Sequence, residues 1–258
     1  MYCYLENRRR CELPQTPAFD SWLDPACTAV VCIDMHRGHV GPDPELTCPA
    51  PRARARIDAH NTFHRLARTV GVPIIMVQHW QRFGGIDDIA SKSVDGGANW
   101  RHIYPLYWPP NPLMDQHSWE GTKWLDLMVE TSPNDYFVRT KKRLSAFYPT
   151  DLEFLLRHLG ARNLVITGTM TDACDLATAF DASDRDFRVL VPRDVVAGYS
   201  EEAENAALLI VSLHLGLVVD GPALLRCWFA RRNMSPPPEI VELSEFTSSD
   251  VAAAGVTT

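Results

Sequence analysis

Cys174 ends the stretch Thr167-Gly168-Thr169-Met170-Thr171-Asp172-Ala173-Cys174, which joins the apolar run Asn163-Leu164-Val165-Ile166 to a helix-like run from Asp172 to about Ser183. This order delivers a thiol to the first turn of a helix, just past the carboxyl end of a buried strand. Backbone N–H groups and the positive end of the helix dipole converge there, so a thiolate is stabilised and an anion is welcome. Two other strand ends carry reactive side chains. Asp34 closes the run 28–33, and Lys141 follows the run 136–140. Ligands of open α/β sheets bind outside the carboxyl ends of strands. An acid, an amine and a thiol at three such ends therefore form a candidate catalytic constellation. Singly, each has an ordinary structural use: a packed thiol, a turn-closing aspartate, and a solvated basic patch shared with Lys142 and Arg143.

The elements that must position these groups alternate along the chain. Short β-branched or apolar runs at 28–33, 72–77, 136–140, 163–167, 188–191 and 217–219 read as strands. Periodic segments at 54–70, 151–158, 172–183 and 201–215 read as helices. Alternation of this kind predicts an α/β fold, a three-layer α/β/α sandwich with a mostly parallel central sheet. Residues 1–27 are polar and proline-punctuated and read as an arm or edge decoration, and 28–232 read as one domain. Within it, 81–133 lacks clean periodicity and is expected to be a lid or an oligomer contact. The tail 233–258 is proline-rich, then Ser/Thr/Ala-rich, and reads as an exchangeable or disordered arm.

A formal charge of −7 argues against nucleic acid or an anionic membrane as partner. No apolar run approaches a membrane span, and the first residues lack the order of a signal peptide, so a cytoplasmic protein is expected. The seven cysteines are scattered, with no CxxC pair. That predicts reduced thiols, with neither a disulfide framework nor a zinc site.

Three blocks in order give the chain a family likeness: Ile33-Asp34-Met35, Lys141-Lys142-Arg143-Leu144-Ser145-Ala146-Phe147, and Gly168-Thr169-Met170-Thr171-Asp172-Ala173-Cys174. With these the sequence resembles the isochorismatase-like cysteine hydrolases, a family that includes nicotinamidase, N-carbamoylsarcosine amidohydrolase, biuret hydrolase and ureidoacrylate amidohydrolase. The likeness covers roughly 28–225. It implies the isochorismatase-like hydrolase fold and a catalytic triad of Asp34, Lys141 and Cys174. Lys141 is preferred to Lys142 because the family lysine sits six residues before the phenylalanine of the Ser-Ala-Phe element. The resemblance also implies an oxyanion hole from the N–H groups of Met170 and Cys174, a cis peptide between Thr169 and Met170, and a homodimer or homotetramer.

Amide cleavage needs a nucleophile, a proton for a poor leaving group, and donors for the oxyanion. Cys174 would attack, Asp34 would take and return the proton, and Lys141 would stabilise the thiolate. The expected activity is a cysteine-dependent amidohydrolase acting on a small non-peptide amide, carbamoyl or ureido compound through a thioester. Its alternatives are an ester- or lactam-cleaving member of the same fold, or a catalytically idle binding or assembly subunit. His39, His79, Trp80 and Thr169 are candidate substrate-binding residues, and Tyr107, Trp108 and Trp119 are candidate pocket walls. His36 and His39 replace the family's glutamine and aromatic residue. His39 could donate to a substrate carbonyl or carboxylate, or serve structurally. The Asp-x-His motif of nicotinamidases is missing, which argues against that activity and against a metal; no cofactor is expected. Asp175 replaces the family's usual valine. It would raise the cysteine pKa if it faced the pocket, and the favoured reading has it capping or facing solvent or a neighbouring subunit.

Overall fold

The computed structural model describes residues 1–46, 48–87, 103, 106 and 114–242. Tyr107 and Trp108, and the part of the tail beyond 242, lie outside the described residues. A nine-stranded sheet organises the chain. Its strands are β1 (Tyr2–Leu5), β2 (Arg9–Glu12), β3 (Thr28–Ile33), β4 (Ile74–His79), β5 (Tyr136–Lys141), β6 (Asn163–Thr169), β7 (Arg188–Pro192), β8 (Val196–Ala197) and β9 (Gly216–Val219). The order across the sheet is β2-β1-β9-β7-β6-β3-β4-β5, with β8 paired to the end of β6. From β9 to β5 every pairing is parallel. The exception is at one edge, where residues 2–12 form a hairpin antiparallel to β9.

All six residues of β3 are buried, as expected of a strand covered on both faces. Its side chains alternate between two cores. Val30 and Cys32 join the core beneath α1 (Ile57–Thr69) and α5 (Gly221–Arg231), where Phe63, Leu66, Leu224 and Trp228 pack. Ala29, Val31 and Ile33 join the core beneath α2 (Leu152–His158), α3 (Leu176–Ser183) and α4 (Glu201–Ile210), with Leu152, Leu156, Ala179 and Leu208. The three layers follow from this division. Among the described residues no helix is long and apolar enough to cross a membrane.

Two local features aim the functional strand ends. At the end of β6, Gly168 has φ +121°, and a Cβ there would lie 2.2 Å from the Ile33 carbonyl oxygen. Only glycine lets β3 and β6 close to this distance while the chain turns. Opposite it, Asp34 leaves β3 at φ 55°, the left-handed region that aspartate tolerates better than most residues. The segment after β6 departs from a regular helix. Residues Thr171–Asp175 form a π-type turn, with the Asp175 N–H donating to the Met170 carbonyl, and α3 begins only at Leu176. At α2 the side-chain cap comes from Thr150. Asp151 makes no capping bond, and the Thr150 hydroxyl accepts from the Leu152 N–H at 3.2 Å.

Candidate active site

The ends of β3 and β5 and the π-type turn after β6 meet in one cleft with about 430 Å³ of empty space, open solvent at its mouth included. Asp34, Lys141 and Cys174 come together at its floor. Lys141 donates to Asp34 Oδ2 at 2.5 Å and to Cys174 Sγ at 3.2 Å. The other Asp34 oxygen accepts from the His79 N–H at 2.6 Å. Asp34 is 0% and Lys141 1% exposed, so this pair is shielded from solvent and salt. Lys142 points elsewhere, its ammonium bound to the Trp80 carbonyl and the Asp87 carboxylate. β5 ends at Lys141, so Lys142 lies just past the strand and is held by these other partners.

Burial alone would push the Asp34 carboxyl up, but the Lys141 ammonium beside it holds it below the usual carboxylate range. Burial would likewise favour a neutral lysine. Asp34 outweighs it, with Cys174 contributing, and keeps Lys141 charged. For Cys174 burial wins over the attraction of Lys141, and the thiol is raised far above its ordinary value. The resting site therefore holds a carboxylate, an ammonium and a thiol. The raised thiol runs against the thiolate expected from the helix start.

The cleft is lined by His39, Cys48, His79, His117, Arg143, Leu144, Met170 and Ala173 around the three central groups. The Thr169–Met170 peptide is cis. Two residues expected to bind substrate are turned away from the lining. The Thr169 hydroxyl donates to the Ala197 carbonyl at 3.2 Å, tying β6 to β8. Trp80, next along β4 after the inward His79, presents its ring to Arg139, whose guanidinium carbon lies 5.6 Å from the ring centre. Trp119 is also absent from the lining and packs its ring on Phe83. Conversely, His117 and Cys48 line the cleft but carry no motif or periodicity that would single them out. His117 pairs with His79, Nε2 to Nδ1, at 3.2 Å. The Nδ1 atoms of His36 and His39 lie 2.9 and 3.0 Å from the carbonyls of Trp124 and Cys48. Among the described residues no three His, Cys, Asp or Glu side chains are grouped as metal ligands.

Asp175 corrects its sequence-based reading. It is 3% exposed, and neither carboxyl oxygen has a hydrogen-bond partner among the described residues, so it neither faces solvent nor caps. Burial, reinforced by Asp34 and Asp172, pushes its carboxyl well above the usual range. A neutral acid avoids the cost of an unpaired buried charge. The folded state thus keeps a proton that the unfolded chain releases, and stability falls as pH rises from the ordinary carboxylate range toward the raised value. Each pH unit in that window is worth about 1.4 kcal/mol. Asp175→Asn, uncharged at every pH, is expected to raise the melting temperature more at pH 8 than at pH 5. Thermal melts giving equal shifts at the two pH values would contradict this account.

Residues 28–221 match the protein-family model described as isochorismatase domain. The chain belongs to the isochorismatase domain family. As a member of it, the protein is a hydrolase. Over 190 residues it is 30% identical to the uncharacterized isochorismatase family protein PncA of Bacillus subtilis, covering 70% of this chain and 91% of the relative. A ureidoacrylate amidohydrolase, RutB of Methylobacterium radiotolerans, is 29% identical over 213 residues, 77% of this chain and 78% of its own. The isochorismatase-like architecture extends to solved structures. A cysteine hydrolase from Pseudomonas syringae pv. phaseolicola superposes with a TM-score of 0.68 at 20% identity, covering 80% of this chain and 94% of that one.

Proposed function

We propose that the protein is a cysteine-dependent amidohydrolase that cleaves a C–N bond of a small non-peptide amide, carbamoyl or ureido compound. The observation that carries this reading is the position of the Lys141 ammonium, within hydrogen-bond reach of both the Asp34 carboxylate and the Cys174 sulfur. Similarity to an amidohydrolase over most of both chains supports it.

In the reaction, Cys174 Sγ gives its proton to Asp34 as it attacks the substrate carbonyl carbon, with Lys141 holding the developing thiolate. The N–H groups of Met170 and Cys174 are assigned to the oxyanion, where such donors contribute about 3–4 kcal/mol each to the transition state. Asp34 then passes the proton to the departing nitrogen, and ammonia or an amine leaves a thioester on Cys174. Water, deprotonated by Asp34, attacks the thioester, releasing the acid and restoring the thiol.

Ammonia release from a panel of small amides and ureides tests this directly. Activity is expected in the native protein and none in Cys174→Ala, with iodoacetamide blocking the native activity in proportion to labelling of Cys174. Turnover surviving in Cys174→Ala would end the thioester mechanism.

A pH profile follows from the same geometry. Asp34 is held below the usual carboxylate range, and burial pushes His39 down to about 4. Protonation removes the base at Asp34 and puts a positive charge on His39. We expect kcat/KM to stay level from pH 8 down to about 5 and to fall steeply below that. A midpoint near 6.5 would instead point to an ordinary histidine as the base. We further propose a homodimer or homotetramer, as the exposed Phe154, at 77%, and Phe180, at 44%, on the α2–α3 face suggest. Light scattering of the intact protein checks this, a monomer being the contrary result.

A further inference from the structure

His39 lines the cleft, and its tautomer is fixed by its neighbour. Nδ1 lies 3.0 Å from the Cys48 carbonyl oxygen. A carbonyl oxygen only accepts, so the proton of that hydrogen bond sits on Nδ1. In the neutral imidazole the other nitrogen, Nε2, then carries a lone pair and no hydrogen. Burial, reinforced by the neighbouring His36, keeps the ring neutral at physiological pH by lowering its pKa to about 4. With Nδ1 engaged, Nε2 is the ring nitrogen left to meet a ligand, beside Asp34, Lys141 and the His117 ring, whose centre is 5.1 Å away.

The three central groups at the floor are committed to one another. Both Asp34 oxygens are engaged, and Lys141 bridges Asp34 and Cys174. Resting on the amidohydrolase reading above, we propose that His39 Nε2 is a specificity-determining hydrogen-bond acceptor for an N–H of the substrate, so that the cleft selects amides, carbamoyl and ureido compounds against the corresponding esters and carboxylates. An ester oxygen or carboxylate oxygen facing Nε2 would set two lone pairs against each other with no proton between them. A buried site built to pair with an N–H loses that bond and leaves its acceptor unsatisfied when the N–H is replaced. This reverses the donor role that the sequence alone suggested for His39.

Two measurements on the full-length protein test the proposal. The first needs no turnover. Nitrogen-15 NMR of labelled histidines, with His39 assigned through His39→Phe, is expected to show the Nδ1–H tautomer at pH 7. An Nε2–H tautomer or an imidazolium would overturn the proposal. The second compares propionamide with methyl propionate. In His39→Phe the ratio of amide to ester kcat/KM is expected to fall at least about tenfold, the size of one net hydrogen bond. In His39→Gln, whose amide can donate to the Cys48 carbonyl and still present an acceptor, most of the ratio is expected to return. An unchanged ratio in a His39→Phe protein that keeps the native near-ultraviolet circular dichroism and native Cys174 alkylation rate would overturn the assignment while leaving the Cys174 mechanism standing. Loss of the thioester mechanism, by contrast, would show in Cys174→Ala and leave the tautomer as found.

Discussion

Lys141→Met is expected to abolish hydrolysis and to cost about 3–5 kcal/mol of stability, the range for removing one partner of a buried ion pair. Asp34 is fully buried, and Lys141 supplies the positive charge beside it. Methionine fills a similar volume but leaves the carboxylate uncompensated, so the loss is electrostatic rather than a matter of packing. The sign can be checked by a second substitution. Adding Asn at position 34 of the Lys141→Met protein removes the orphaned charge and is expected to recover most of the stability and none of the activity. Urea melts of the two proteins, read with ammonia release, separate the terms. If Lys141→Met melts within about 1 kcal/mol of the native protein, the buried pair is not the electrostatic centre described above.

Gly168→Ala is the second large effect. The added methyl would sit 2.2 Å from the Ile33 oxygen and 2.6 Å from the Ile33 nitrogen, both backbone atoms that no rotamer change can move. Relief requires β3 and β6 to separate where one strand ends in Asp34 and the other leads to Cys174. Overpacking of a tight core costs about 1–3 kcal/mol, and the positive φ adds about 1–2 kcal/mol. A loss of about 3 kcal/mol or more is expected, with activity falling further than stability because the acid and the thiol move apart. Gly160→Ala provides the comparison. Its φ is +67°, yet nothing lies within 4 Å of a Cβ there, so only the backbone penalty should remain. Equal melting shifts for the two variants would remove the close approach as the cause.

Much of this arrangement was legible because strands buried on both faces leave continuous apolar runs. The runs at 28–33 and 163–167 fall within β3 and β6. The strand ends offered Asp34, Lys141 and Cys174 as candidates, the family likeness preferred Lys141 to Lys142, and the three side chains come together in the structure. What stayed hidden depends on contacts between distant segments. His117 and Cys48 enter the cleft from stretches with no periodicity, and a sequence has no mark for a side chain that arrives from an irregular turn. Thr169 and Trp80 lie outside the cleft lining, since nearness in sequence to a strand end does not say which way a side chain faces. Asp175 was misread because a carboxylate is ordinarily assumed charged, and only its burial shows otherwise. The hydrogen-bonding sense of His39 depends on the Cys48 carbonyl nine residues away. Residues 1–27 were read as an arm or edge decoration without strands, because Tyr2–Leu5 and Arg9–Glu12 are short and the second carries arginines that hide any alternation.

That hairpin has a bearing on solubility. β9 ends in Val218 and Val219, both fully buried, and β1 takes up hydrogen bonds along its outer side through Cys3 and Tyr4. The outermost strand, β2, reads Arg-Arg-Cys-Glu, a charged edge that resists pairing with another chain. The first dozen residues thus act as a guard against edge-to-edge association. Without them, the apolar β9 would become the edge, and the sheet would offer other chains a template for growth into aggregates.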